Sequence, residues 1–308
     1  MDADGSVTTE EIQDSPRDAR SLVAAVRSTI DRMCGGAVPA IGLGVPGLVD
    51  ASGSVSFAPN LQGLSGHALK CELESSFPDS AVWVGNDATA ACWGEKERGA
   101  GAGSEEILMV TLGTGIGGGI VSRGELVEGS NRYAGEFGHM VVDPHGPLCP
   151  CGKKGCWERF ASGSGLGSLG REAALAGTAR RLVELAGGDP EAVRGEHVTR
   201  AAAEGDSSAQ AIMDRFAWWV ALGLANLANA LDPELIVIGG GLITAGDVLM
   251  IPTRRAFREL VEAPEARPRL RVVAAALGAS AGAIGAALRA AGTSPRGVNG
   301  GGAGVPVK

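Results

Sequence analysis

The feature of this sequence that most constrains its fold is a cysteine-rich stretch, CPCGKKGCWE, that begins at Cys149. The stretch also holds Cys151 and Cys156, and His139 precedes it by ten residues in the segment GEFGH. One imidazole nitrogen and three sulfurs form a complete tetrahedral ligand set for zinc. Because four protein ligands leave no open position, the sequence predicts a structural Zn²⁺ that ties this loop to a strand carrying His139. Solvent-exposed thiols and a disulfide are the alternatives.

The composition excludes several classes of protein. The chain has 308 residues, of which 44% are apolar, so it can bury the core of one large domain or of two ordinary ones. Its net charge of −8 disfavours nucleic-acid and anionic-membrane partners. No apolar run reaches the roughly 18 residues of a membrane span, and the acidic, polar first residues are the reverse of a signal peptide. We therefore expect a cytoplasmic protein with no nucleic-acid and no membrane partner.

The remaining cysteines, Cys34, Cys71 and Cys92, are scattered along the chain. In a reducing cytosol a local cysteine cluster binds metal more often than it forms disulfides. We expect the three scattered cysteines to be small buried apolar residues.

Predicted strands and helices alternate along the chain, and a hairpin interrupts them, which is typical of an α/β fold. The first helix is predicted to begin with Ser15 as its cap and Pro16 at its first position. The predicted helices span 16–33, 88–98, 207–231, 247–262 and 280–291, and the predicted strands lie within 39–47, 81–87, 105–127, 234–241 and 270–278.

A glycine-rich break near residues 99–104 suggests two lobes. We expect residues 1–104 to form a small N-terminal α/β lobe, with helix 280–291 packing back on it. Residues 105–291 are then a large C-terminal α/β lobe with the zinc site, and residues 292–308 a disordered, glycine-rich tail. Ligands in such folds bind where strands end in loops, often between lobes.

The segment GTGIGGG at 113–119 is the most informative of three glycine-rich loops. Glycine lets backbone N–H groups approach an anion, and the hydroxyls of Thr111 and Thr114 add donors, so the segment is predicted to cradle a phosphate. It matches neither the Walker pattern nor a dinucleotide fingerprint, since no Lys-Ser/Thr follows it and a strand, not a helix, comes next. The alternative is that its glycines only supply positive φ in a tight turn.

Three acidic residues extend the predicted site. Asp87 ends the strand VWVGND, where a carboxylate would point into a ligand crevice and could accept a hydroxyl proton. The spacing also permits Asp87 to cap helix 88–98, and taken alone it favours the cap. The zinc ion would position Glu136, His139 and Glu158 around one spot.

Several segments, in this order, resemble the ROK family of sugar kinases and sugar-responsive regulators. They are GVPG, APNL, GNDATAACWGE, LGTGIGGGI, GEFGHMVVD, CPCGKKGCWER and LDPELIVIGGG. The resemblance covers about residues 1–290 and implies an actin-like ATPase (ribonuclease H-like) fold, in which a cleft separates two α/β lobes. It also implies a homo-oligomer, a dimer or a tetramer.

The resemblance implies a role for individual residues and favours Asp87 as the catalytic base that takes the proton of the sugar 6-hydroxyl. His139 would bind zinc through one ring nitrogen and offer the other to the sugar. ATP would bind with Mg²⁺ bridging its phosphates. The implied sugar ligands are Asn60, Asn86, Asp87, Glu136, His139 and Glu158, the implied phosphate contacts are Thr114 and Gly115, the residues implied to border adenosine are Gly239, Gly240 and Gly241, and the implied zinc ligands are His139, Cys149, Cys151 and Cys156.

The N-terminus departs from the family pattern. Kinases of this family begin with a strand that carries an Asp-x-Gly-Gly-Thr-Lys-type loop, and MDADGSV resembles only the end of the strand that follows it. We expect a misassigned start codon. The alternative is a genuinely short product that binds sugar without turnover.

The resemblance therefore implies an ATP-dependent kinase that phosphorylates glucose at its 6-hydroxyl. A kinase for another hexose or for an N-acetylhexosamine is an alternative, and polyphosphate is an alternative donor. A sugar-responsive regulator is disfavoured, because the sequence has no basic N-terminal helix-turn-helix domain.

Overall fold

The computed structural model of this chain describes residue 1, residues 6–59 and residues 61–293. Residues 2–5, 60 and 294–308 lie outside that part, so the predicted sugar ligand Asn60 and most of the predicted glycine-rich tail are not described. Among the described residues, every helix is too short or too polar to span a lipid bilayer.

Nine strands form three sheets in the described part of the chain. A five-stranded sheet has the order β7-β6-β5-β8-β9, in which β5 pairs antiparallel with β6 and parallel with β8. Two smaller sheets pair β1 with β4 in parallel and β2 with β3 antiparallel. The strands are β1 (Ala40–Val45), β2 (Leu48–Val49), β3 (Val55–Phe57), β4 (Ala81–Asn86), β5 (Ile107–Leu112), β6 (Ile116–Ser122), β7 (Glu125–Leu126), β8 (Leu235–Gly239) and β9 (Arg271–Ala274).

Ten α-helices surround these sheets in the described residues. Strand β8 is buried along its whole length, as expected for a parallel strand covered on both faces. The helices are α1 (Ala19–Cys34), α2 (Leu69–Ser76), α3 (Asp87–Arg98), α4 (Glu158–Ala161), α5 (Gly163–Leu175), α6 (Arg180–Leu185), α7 (Gly195–Ala203), α8 (Ser207–Leu231), α9 (Asp247–Leu260) and α10 (Ala281–Thr293).

Helix α3 joins the N-terminal strands to the five-stranded sheet. A Cβ atom at Gly119 of β6 would lie 2.4 Å from Cys92 Cβ of α3, and one at Gly117 would lie 2.7 Å from Ala88 Cβ. These distances are shorter than van der Waals contact, so only glycine lets the helix lie so close to the strand. On its other side α3 packs against α10, which also contacts β1 and β4.

A buried carboxylate ties together the two segments that connect these halves. Glu95 of α3 is fully buried and accepts hydrogen bonds from the backbone N–H groups of Ala100 (2.7 Å), Ala276 (3.1 Å) and Leu277 (2.7 Å). Ala100 precedes β5, and the other two residues follow β9. Because several N–H donors satisfy the charge, the carboxylate can remain buried.

Most predicted elements are confirmed, with two corrections. The hairpin within 105–127 and the helix at 207–231 are present. Helix α1 begins later than predicted, because the Asp18 carboxylate accepts the backbone N–H of Ser21 and caps the helix there. Cys92 is buried as expected, but Cys34, the last residue of α1, and Cys71 of α2 are exposed, so that expectation is wrong for these two.

The close approach of α3 to β6 predicts that Gly119→Val destabilises the fold. The added side chain would overlap Cys92, and overpacking of this kind costs about 1–3 kcal/mol. Urea unfolding should show a lower midpoint for this variant. Gly292→Ala is the matched control, because a Cβ atom there meets nothing within 4 Å; equal midpoints for both variants would contradict the packing argument.

Candidate active site

The junction of β4 and α3 carries the predicted catalytic carboxylate. Asn86 Oδ1 accepts the backbone N–H of Thr89 at 2.9 Å, and Asn86 Nδ2 donates to the carbonyl of Gly47 at 3.1 Å. Asn86, and not Asp87, is therefore the cap of α3, and the alternative interpretation of Asp87 as the cap is wrong. Asp87 is the first helical residue, and its Oδ1 accepts the N–H of Ala88 at 2.9 Å.

Asp87 as a whole residue is exposed, yet neighbouring protein atoms desolvate its carboxyl group. This desolvation raises the pKa of Asp87 above its ordinary value, and the hydrogen bond from Ala88 offsets only part of the shift. A carboxylate that holds its proton more tightly than usual is a stronger base once it is ionised.

The four predicted zinc ligands lie together, with their ligand atoms within 4.8 Å of one another. Cys149 Sγ is 3.8 Å from His139 Nδ1, and Cys151 Sγ is 3.5 Å from Cys156 Sγ. Ligands at about 2.0–2.3 Å from a tetrahedral Zn²⁺ are themselves about 3.5–3.8 Å apart, so the set fits this ion. Burial raises the pKa of the Cys149 thiol, and a bound cation would hold it as the thiolate.

His139 lies in a single 3₁₀ turn, Phe137–His139, and not on the predicted strand. The N–H of His139 donates to the carbonyl of Glu136, which turns the chain so that both side chains lie on one side. Nδ1 of His139 faces the sulfurs, whereas Nε2 lies 3.9 Å from Glu136 Oε2. One ring nitrogen thus lies beside a cysteine sulfur and the other beside the Glu136 carboxylate.

The cysteine loop is fixed to the core of the large sheet. Cys149 N–H donates to the carbonyl of Lys153 at 2.7 Å, which closes the loop. Trp157 is fully buried, and its indole N–H donates to the carbonyl of Trp219 on α8 at 2.7 Å. Glu158 follows Trp157 directly, so its backbone is held by the cysteine loop on one side and by α8 on the other.

Glu136, His139 and Glu158 form one acidic cluster with Asp87. Glu158 Oε1 lies 3.7 Å from His139 Nδ1. Desolvation raises the pKa of Glu136; His139 lowers it in part, while the charges of Asp87 and Glu158 raise it further. Carboxylates from the start of α3, from the residue before the 3₁₀ turn and from α4 therefore lie near one another around His139.

The turn between β5 and β6 lies next to this cluster. Its carbonyl groups are occupied, because Gly163 N–H donates to Gly113 O at 2.7 Å and Ser164 Oγ donates to Thr114 O at 2.9 Å. The N–H groups of Thr114 and Gly115 make no hydrogen bond to another described residue and can serve an anion. A Cβ atom at Gly115 would lie 2.7 Å from Glu158 Oε2, so the turn touches the acidic cluster.

The other predicted phosphate-loop glycines have a different task. Gly117 and Gly119 lie inside β6, where they admit α3, and a Cβ atom at Gly118 would lie 2.2 Å from the Phe137 ring. The predicted cradle is therefore limited to the turn at 113–115.

A cavity of about 740 Å³ opens on the far side of that turn. Gly113, Thr114 and Gly241 line it, whereas Gly240 (φ +84°) brings its backbone against Leu112, where a Cβ atom would lie 2.5 Å from the carbonyl oxygen. The rest of the lining comes from α4, α5, α7 and the 3₁₀ turn at 241–245, and includes Arg159, Ser164, Ser168, Arg171, Arg194, Glu196, Thr199 and Thr244.

The arginines of this cavity were missed by sequence analysis. Arg171 and Arg194 belong to no motif, and Arg159 only ends the segment CPCGKKGCWER. The three meet because α4, α5 and the start of α7 pack around one space. Arg171 is held in place by donating to Val193 O at 2.9 Å and to Ser168 Oγ at 3.0 Å. No spacing in the sequence signals this grouping.

Comparison with known proteins identifies the family, since residues 1–292 match the ROK family. The chain belongs to the ROK family. It is 37% identical over 291 residues to a glucokinase of Streptomyces coelicolor, covering 93% of this chain and 91% of the relative. It is 38% identical over 250 residues to a glucokinase of Thermotoga maritima, covering 81% of this chain and 78% of the relative.

A solved structure of a ROK family member agrees with the fold. The chain resembles a ROK family glucokinase of Streptomyces griseus in complex with glucose and AMPPNP, with a TM-score of 0.84, 38% identity and 94% of both chains covered. The predicted actin-like ATPase α/β fold is thereby confirmed.

The cluster of His139 with Cys149, Cys151 and Cys156 predicts that each chain of this protein binds one zinc ion. The variant Cys151→Ser should lose that ion. Without the ion, His139 and Glu158 lose their anchor, and we expect affinity for a sugar to fall about 10–100-fold. Metal analysis and calorimetry with glucose would measure both effects. Cys71→Ser is the matched control, because Cys71 is exposed and lies outside the cluster; unchanged affinity in a zinc-free variant would contradict the anchoring role.

Proposed function

We propose that this ROK protein is an ATP-dependent glucokinase. The observation that carries the proposal is the position of the turn at 113–115, whose free N–H groups lie between an acidic cluster and a cavity of about 740 Å³. A sugar needs carboxylates and imidazole for its hydroxyl groups, and a phosphoryl group needs backbone donors. The acidic cluster would therefore bind the sugar that accepts the phosphoryl group, the turn would bind the phosphoryl group itself, and the cavity would bind the nucleotide that donates it.

In this reaction Asp87 is the catalytic base. Its carboxylate takes the proton of the sugar 6-hydroxyl, the sugar oxygen bonds to the γ-phosphorus, and the bond between that phosphorus and the β–γ bridging oxygen breaks to release ADP. Thr114 and Gly115 bind the transferred phosphoryl group through their N–H groups. A Mg²⁺ ion bound with ATP would neutralise phosphate charge.

The remaining site residues hold the two substrates. Glu136, His139 and Glu158 bind sugar hydroxyls. His139 and the three cysteines would hold a zinc ion, and that ion would keep the sugar ligands in place. Asn86 contributes mainly by capping α3, because both ends of its amide are already bonded within the protein. Gly241 borders the nucleoside directly, whereas Gly239 and Gly240 shape the end of β8. Asn60 keeps its predicted role as a sugar ligand.

Several expectations from the sequence belong to this proposal. Residues 1–104 and 105–291 would be the two lobes that close on the substrates, and helix α10 supports the first. The chain would act in the cytoplasm as a homo-oligomer. Trp218, which is exposed on α8, marks a candidate contact surface.

The test is a coupled assay of ADP release with glucose and Mg-ATP. Glucose should be phosphorylated in preference to mannose, fructose, N-acetylglucosamine and N-acetylmannosamine, and polyphosphate should not replace ATP. Preference for an N-acetylhexosamine would contradict glucose as the substrate. Glucose binding without ADP release would contradict the proposed kinase activity.

Asp87→Asn should lower kcat by about 10²–10⁴-fold and leave glucose affinity within about tenfold, since it removes the base and keeps its shape. The folded protein should lose no stability near neutral pH. Because burial raises the pKa of Asp87, the protonated side chain favours the folded state at low pH, and this contribution is lost as the pH rises through the pKa of the folded protein. Near neutral pH the ionised Asp87 therefore disfavours folding. Asp79→Asn, an exposed residue before β4, is the control; equal kcat in both variants would remove Asp87 from the mechanism.

The raised pKa of Asp87 also predicts the acid limb of the pH profile. Because the base must be ionised, kcat/KM for glucose should fall as the pH decreases, with an apparent pKa above the ordinary 3.8 of an aspartate. The same fall of kcat/KM at low pH should remain in the variant Glu136→Gln, because that variant retains Asp87 as the base. An apparent pKa at or below 3.8, measured where the protein is still folded, would contradict this assignment.

A further inference from the structure

The segment from Glu128 to Tyr133 connects β7 to the 3₁₀ turn that carries Glu136, and it lies across the cleft. Tyr133 OH and Ser56 Oγ of β3 are 2.6 Å apart. Arg132 lies over the ring of Trp83 on β4, with its guanidinium carbon 5.8 Å from the centroid, and Arg132 Nη1 donates to Asp50 O at 3.5 Å. The segment thus contacts both small N-terminal sheets.

Glu128 organises these contacts. Its Oε1 accepts from Arg132 Nε at 2.9 Å and from Nη2 at 2.6 Å, and its Oε2 accepts from Arg289 Nη2 of α10 at 3.3 Å. Only 18–24% of these three side chains is exposed, so the pairs are less screened than surface salt bridges. The Glu128 carboxylate therefore closes the segment through Arg132 and ties it to α10 through Arg289.

Both arginines are further restrained by aromatic rings. Arg289 lies over Trp93 of α3, 5.6 Å from the ring centroid, as Arg132 lies over Trp83. Stacking of a guanidinium on an indole adds to the attraction of the carboxylate. Without Glu128, two cations would remain close together with no carboxylate between them.

The segment also sets the position of a sugar ligand. Ala134 N–H donates to Glu128 O at 3.0 Å, which closes the loop two residues before Glu136. A Cβ atom at Gly135 would lie 2.5 Å from Gly118 O of β6, so the chain is fixed to the large sheet just beyond the loop. The backbone next to Glu136 is thus fixed against the large sheet, while residues 132–133 contact the two N-terminal sheets.

We propose that residues 128–133 form an interlobe latch and that Glu128 is a positioning residue for the sugar. This inference rests on the proposed function. Sugar ligands come from both sides of the cleft, with Asp87 on one side and Glu136 on the other. A latch that holds the two sides together lowers the ordering cost of sugar binding. The nucleotide cavity is lined by residues of 113–245 alone, so the latch should not affect it.

Glu128→Gln should therefore raise the KM for glucose about tenfold, with kcat and the KM for ATP within about twofold of wild type. Glu125→Gln, an exposed glutamate on β7, is the matched control and should change neither constant. If Glu128 acts through Arg132, the variant Arg132→Gln should have a similar effect. The double variant should then be no worse than about twice the stronger single variant.

Equal increases in both KM values, or a glucose KM within twofold of wild type in both single variants, would overturn the latch. Hydrogen exchange of the peptide 127–135 without ligands gives a second measurement that does not depend on turnover. Exchange at Arg132 and Ala134 should be faster in Glu128→Gln than in Glu125→Gln, and equal rates would also overturn the proposal. A wild-type protein that phosphorylates no sugar would refute the function, while the exchange rates would still decide the latch.

Discussion

The contact between helix α3 and strand β6 is the constraint on which the rest of the site depends. Gly117 and Gly119 bring the helix so close that any side chain on those positions would overlap it. The helix begins at Asp87, and the strand begins next to the turn at 113–115. The proposed base Asp87 and the proposed anion-binding turn, which belong to different sheets, are thereby brought close together. Packing at Gly117 and Gly119 therefore sets the distance between them.

The cysteine cluster solves a second problem, which is how to hold acidic side chains close together. Glu136 and Glu158 repel each other and Asp87, and desolvation raises the pKa of Glu136 further. Such a cluster is unfavourable unless its backbone is fixed from outside. That restraint comes from three features. They are the 3₁₀ turn of His139, the grouping of His139 with the three cysteines, and the hydrogen bond from the Trp157 indole to α8.

Buried and half-buried carboxylates recur as connectors in this protein. Glu95 binds backbone N–H groups of both segments that link the N-terminal strands to the large sheet. Glu128 joins Arg132 of its own loop to Arg289 of α10. The first carboxylate restrains the segments that link the N-terminal strands to the large sheet, and the second restrains the loop that follows β7.

Local patterns in the sequence predicted the family, the α/β class, the grouping of His139 with three cysteines and the residue types of the acidic cluster. These are carried by local spacing, by hydrophobic runs and by glycine positions, which a chain shows before it folds. That Asn86 and not Asp87 caps α3, and that the glycines of β6 admit helix α3, follows from contacts in the folded protein. The same is true of the arginines that line the cavity beside the turn at 113–115 and of the contacts that residues 128–133 make with both N-terminal sheets. These features depend on contacts between residues far apart in the chain, and such contacts exist only after the sheets and helices pack.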